Sequence, residues 1–102
     1  MASYIDPTIE SIAQAIVNGT PLTPFQQRYL SNDTFPLLVS MATYQNSNDV
    51  QTLMALGFQL QELNHPFCSL AIGPQNLVDG LDYLRNAAWV ERVELKQPMQ
   101  MK

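Results

Sequence analysis

The sequence predicts an α+β fold, and two observations predict it. Apolar residues recur every three to four positions in the first part of the chain, then at every second position from Phe35. Clusters of glycine, proline and asparagine cut the remainder into segments that alternate between strand-like and helix-like rhythm. The chain has 102 residues, of which 46% are hydrophobic and 14% charged, enough apolar matter for one core. A domain this small keeps a high surface-to-volume ratio, so a partner or a second copy adds stability.

Asp6 is placed to cap a first helix, and Pro7 suits its first position. Ile9, Ile12, Ala13 and Ile16 form one apolar stripe, and Asn18-Gly19 supplies the stop. Thr23, Pro24 and Gln26 make a capping-box pattern for a short second helix with Phe25, Tyr29 and Leu30 as its apolar contacts. Ser31 to Thr34 is polar and breaks the pattern. From Phe35 to Tyr44, Leu37, Val39 and Met41 fall on one side and Leu38, Ser40, Ala42 and Tyr44 on the other. That is a strand, with Pro36 at its start, where a missing donor does least harm.

Asn48, with Gln51 three residues on, is expected to cap the next helix, whose inner face is Val50, Leu53 and Met54 and whose end is Gly57. Phe58 to Gln61 alternates as a half-buried strand, and the phase slip at Glu62-Leu63 suggests a bulge. Asn64-His65-Pro66 is a turn, and the apolar run Phe67 to Ile72 reads as a central strand. Gly73-Pro74 opens a helix with Leu77, Leu81, Leu84 and Ala88 along one face and Val78 beside them. Gly80 weakens it by roughly 1 kcal/mol of propensity. Val93 and Leu95 alternate with Arg92, Glu94 and Lys96 as a last strand.

From residue 35 the order is therefore strand, helix, strand, strand, helix, strand, the order of a ferredoxin-like βαββαβ sandwich. The division expected is an N-terminal helical extension over 1–33, the ferredoxin-like domain over 34–97 and a tail over 98–102. The two N-terminal helices either cover the other face of the sheet or lie against an edge. A mostly α-helical fold is the alternative, because Leu37, Leu38, Met41 and Tyr44 also fit helical spacing. Phe58, Tyr44 and Trp89 are expected in the core.

Composition narrows the function classes. The formal net charge is -4, and the five basic residues Arg28, Arg85, Arg92, Lys96 and Lys102 are scattered. Nucleic-acid binders cluster their cations to displace counterions from phosphates, so no nucleic acid is expected as partner. No apolar run approaches the roughly 20 residues that span a bilayer, so no membrane is expected either. The first residues carry no basic segment followed by an apolar one, and the expected location is cytoplasmic. The single Cys68, in an apolar run, reads as a buried inert thiol.

No catalytic constellation is visible, and an enzyme is not expected. His65 is the only histidine and reads as a solvated turn residue. A structural zinc site uses about four Cys or His ligands, and the chain has two, so no metal is expected. No phosphate-cradling glycine loop is present, and no cofactor is expected. Asp79 and Asp82 share a helix face but read as solvated, and Asp6 and Glu10 suit a helix start.

Leu56-Gly57-Phe58-Gln59-Leu60, Phe67-Cys68-Ser69-Leu70-Ala71-Ile72, Leu77 to Leu84 and Trp89-Val90-Glu91-Arg92-Val93-Glu94 follow in a familiar cadence. Over residues 35–96 the chain resembles the propeptides of subtilisin-type serine proteases and their stand-alone inhibitor relatives. The resemblance implies a protease-binding module whose open sheet face docks on the enzyme. Its C-terminal segment, Lys96, Gln97, Pro98, Met99, Gln100, Met101 and Lys102, would lie in the substrate cleft as an added strand. Glu94 matches the family's acidic position, which caps helix N-termini of the protease. Lys96 departs from the pattern, standing where the family usually has another acid, and the N-terminal helices have no counterpart in the minimal inhibitor.

The function expected is thus a non-catalytic protein-binding module, with another protein, a subtilisin-like protease, as partner. One alternative is an adaptor or assembly subunit that self-associates, for instance as a homodimer. Another is a small-molecule regulatory domain, for which the sequence displays no convergent polar cluster.

Overall fold

The change of rhythm at Phe35 is a change of secondary structure in the computed structural model, which describes residues 2–96. In chain order the elements are β1 (Tyr4–Ile5), α1 (Pro7–Asn18), α2 (Pro24–Gln27), β2 (Phe35–Met41) and α3 (Ser47–Ala55). They continue with β3 (Gln59–Asn64), β4 (Phe67–Ile72), α4 (Pro74–Asn86) and β5 (Val90–Leu95). The fold is α+β, with four helices and one five-stranded mixed sheet of order β1-β5-β2-β4-β3. β1 runs parallel to β5, and the other neighbours are antiparallel. The mostly helical alternative is thereby overturned: residues 35–41 pair on both sides, and their burial alternates residue by residue.

Local chemistry sets the helix ends. The Asp6 carboxylate accepts from the Thr8 N–H at 2.9 Å, and Gly19, at φ 69°, turns the chain away after α1. Thr23 and Gln26 form the reciprocal box at α2. α3 starts two residues earlier than expected, because the box is formed by Asn46 with Asp49 and not by Asn48 with Gln51. Asp49 brings a carboxylate to the first turn, where the helix dipole favours negative charge. Gly57, at φ 96°, ends α3 as expected.

Pairing sorts the strands' side chains onto two faces. On the inner face lie Val93, Val39, Cys68 and Leu63 in one row, and Leu95, Leu37, Leu70 and Leu60 in the next. Helices α3 and α4 contribute Leu53, Leu77, Leu81 and Leu84 to the core that this face closes. Ile9 and Ile12 of α1, both fully buried, join the same core cluster, and α1 packs beside α4. Full burial of one such side chain stabilises by about 1.5–3 kcal/mol. Arg85 of α4 also grips Glu10 of α1 through two nitrogens, at 2.6 and 2.9 Å. The hydrogen bond from Arg85 holds the Glu10 carboxyl below its ordinary pKa. Both side chains are about half exposed, so the pair contributes at most about 1 kcal/mol.

Gly80 sits where α4 crosses the sheet. A Cβ there would overlap Ile72 Cδ1 and stand 2.8 Å from Phe58 Cζ. The glycine that weakens the helix by propensity is what lets it lie close to the strands.

Several side chains depart from expectation. Tyr44 is 77% exposed, since the register shift at Ser40/Met41 ends the ladder before it. Phe25 and Met54 are exposed as well. Ala88 is exposed because α4 stops at Asn86 and the extended Ala87 takes the buried place. Phe58 and Trp89 are buried as expected. The short β1 has no antecedent in the sequence reading.

If the first helix belongs to the common core, Ile12→Ala will cost about 2–5 kcal/mol in urea denaturation, as cavity-forming substitutions do. A cost below about 0.5 kcal/mol would mark α1 as an appendage.

Candidate functional site

The outer face is open in part: Tyr4 and Phe67 on it are exposed, while Ala71 and Ser69 are buried. Three cross-strand rows cross it. Tyr4, Arg92, Ser40, Phe67 and Asn64 form the first. Glu94, Leu38, Ser69 and Glu62 form the second. Pro36, Ala71 and Gln59 form the third, with Lys96 beside Pro36 through its backbone N–H to the Pro36 carbonyl at 2.9 Å.

Apolar and charged groups interleave on this face. Phe67 is 48% exposed and Tyr4 38%, and Leu38 is half-buried between them. The Arg92 guanidinium lies 4.5 Å over the Tyr4 ring and bonds Glu94 at 3.1 Å. Lys96 reaches across β2 to donate to Ser69 Oγ at 2.9 Å. Arg28, Ser31, Asn32, Thr34, Pro36, Gln59, Gln61 and Lys96 line a cavity of about 360 Å³ at the end of the face where β2 begins. A second, of about 300 Å³, lies beyond Lys96 and includes Leu38, Glu62, Phe67 and Ser69.

Of the site residues expected from the sequence, Glu94 and Lys96 both lie on this face, in adjacent rows. The Glu94 carboxylate is engaged by Arg92. Gln97, Pro98, Met99, Gln100, Met101 and Lys102 lie outside the described residues. Sequence reasoning missed Tyr4, Leu38 and Phe67. The signal for Leu38 and Phe67 was present, because each alternates with the buried partners Leu37, Val39 and Cys68.

The other candidates stand apart. His65 stacks on Tyr44 at 3.8 Å between ring centroids. Asp79 and Asp82 are exposed on α4. Cys68 is fully buried, with Gln45 donating to its sulfur at 3.5 Å, and burial raises its thiol pKa. Such a thiol is a poor nucleophile. Among the described residues no group of three or more His, Cys, Asp or Glu side chains is placed to hold a metal ion. No helix among them is long and apolar enough to cross a membrane. Compared with known proteins, the chain matches no family model, no curated protein and no solved structure.

Proposed function

We propose that the chain is a non-catalytic protein-binding module that docks through the outer face of its sheet, with a subtilisin-like serine protease as the partner class. The observation that carries the reading is the open end of that face, where Phe67 and Tyr4 stand exposed and Leu38 half-buried among charged neighbours, while Ala71 and Ser69 further along are buried. Aromatic anchors ringed by polar groups are the usual energetic centre of a protein interface. The strand order β5-β2-β4-β3, with α3 and α4 as its crossovers, supports reading residues 34–97 as a ferredoxin-like unit. The position of Lys96 at the rim of this face supports a role for the segment that follows it. Glu94 bonds Arg92 through Oε1 and keeps Oε2 for an enzyme's helix N-terminus. The purified chain is expected to slow a panel of subtilisin-like proteases. Removal of residues 97–102 abolishes this, and Phe67→Ala weakens it about tenfold or more. Full protease activity throughout the panel at micromolar chain contradicts the reading.

A second reading rests on a different observation. β3 is an edge strand whose residues are all exposed, and its inner-face Leu60 and Leu63 are 37% and 49% exposed. Such an edge is a template for pairing with a second copy of the chain. Sedimentation velocity is expected to show a dimer that Leu63→Lys dissociates; a monomer at all concentrations contradicts it.

A further inference from the structure

The chain carries five basic residues against nine acidic ones. Arg85 pairs with Glu10, Arg92 pairs with Glu94, and Lys102 lies outside the described residues. Arg28 and Lys96 form no ion pair among the described residues, and both line the 360 Å³ cavity at the end of the outer face. No aspartate or glutamate lines that cavity. In an acidic protein, the two cations that form no ion pair among the described residues line one cavity.

Three separate stretches build the cavity. Arg28 closes α2, whose start is fixed by the Thr23–Gln26 box. Ser31 and Thr34 exchange both backbone hydrogen bonds, at 2.8 and 3.1 Å, around Asn32 and Asp33 at φ 53° and 63°. Two consecutive left-handed residues make the tight turn that asparagine and aspartate tolerate best. This turn sets Asn32 on the cavity wall, and Asp33 is not among the lining residues. Gln59 and Gln61 come from β3, and Lys96 follows β5.

The polar groups here have capacity to bind. Lys96 has three donors and gives one to Ser69. Glu62 lines the neighbouring cavity that also includes Lys96, without pairing with it. Among the described residues no hydrogen bond occupies the side chains of Arg28, Asn32, Gln59 or Gln61. We propose that this cavity is a binding site for a small organic anion bearing a carboxylate or phosphate group. Arg28 supplies a planar fork for two oxygens and Lys96 a compact charge. The amides of Asn32, Gln59 and Gln61 serve the ligand's neutral polar groups. The volume falls at the lower end of the range for small-molecule sites. The site rests on its own cavity and shares only Lys96 with the docking face.

Titration by NMR tests it, with inorganic phosphate and with succinate as probes and sodium chloride holding ionic strength constant. Saturable shifts confined to Arg28, Asn32, Gln59, Gln61 and Lys96 are expected with at least one probe. Saturation by phosphate alone assigns phosphate esters, and by succinate alone carboxylates. Arg28→Gln and Lys96→Gln, each at an exposed or rim position, are expected to weaken binding about tenfold while leaving distant resonances in place. Shifts that never saturate with either probe, or that persist unchanged in both variants, overturn the proposal.

Discussion

The close seating of α4 on the sheet is the constraint on which the other contacts depend. At Gly80 the helix meets the side-chain ends of Ile72 of β4 and Phe58, the residue that precedes β3, which must shift to admit a methyl group. Leu77, Leu81 and Leu84 of the same helix are buried in one core cluster with the inner-face residues of β2, β4 and β5. The same helix then carries α1 on one flank, through the shared core and the Arg85–Glu10 pair. A wider spacing would loosen both attachments, because packed interiors tolerate gaps poorly.

A helical layer gathered on one side leaves the sheet's second face to other uses. Its side chains follow from strand alternation over β2 and, past the register shift opposite Val90, over the second half of β5. On β2 the outward residues are Pro36, Leu38 and Ser40, and on β5 they are Arg92 and Glu94, followed by Lys96. Aromatic groups gather at one end of the face, and unpaired cations at the other. The two regions meet at Lys96, which lines the cavity and reaches Ser69 on the face.

Much of this was legible in the sequence. Periodicity located α1, β2, β4 and α4 because each carries at least three apolar residues in phase, and β5 through the alternation of Val93 and Leu95 with charged residues. Capping chemistry located α1 and α2, but two asparagines competed at α3, and the one with an acidic partner three residues on prevailed. β1 was not legible: it holds two residues, and its pairing with β5 spans most of the chain. Tyr44 was misplaced because alternation continues in the sequence past the register shift that ends the ladder. The cavity at Arg28 and Lys96 has no sequence signature, since its walls come from three segments that only the sheet brings together. Glu94 and Lys96 were placed correctly on the outward phase of β5, while the Arg92–Glu94 pair depends on rotamers that spacing does not fix.

Gly80→Ala tests the central contact most directly, because helix propensity and packing pull in opposite directions there. Alanine favours an isolated helix by about 1 kcal/mol. Overpacking against Ile72 and Phe58 costs about 1–3 kcal/mol. Chemical denaturation is predicted to show a less stable variant, with the midpoint lowered and the slope unchanged. A variant more stable than the parent would mean that α4 does not lie this close to the strands, and the account of the inner face would fail with it.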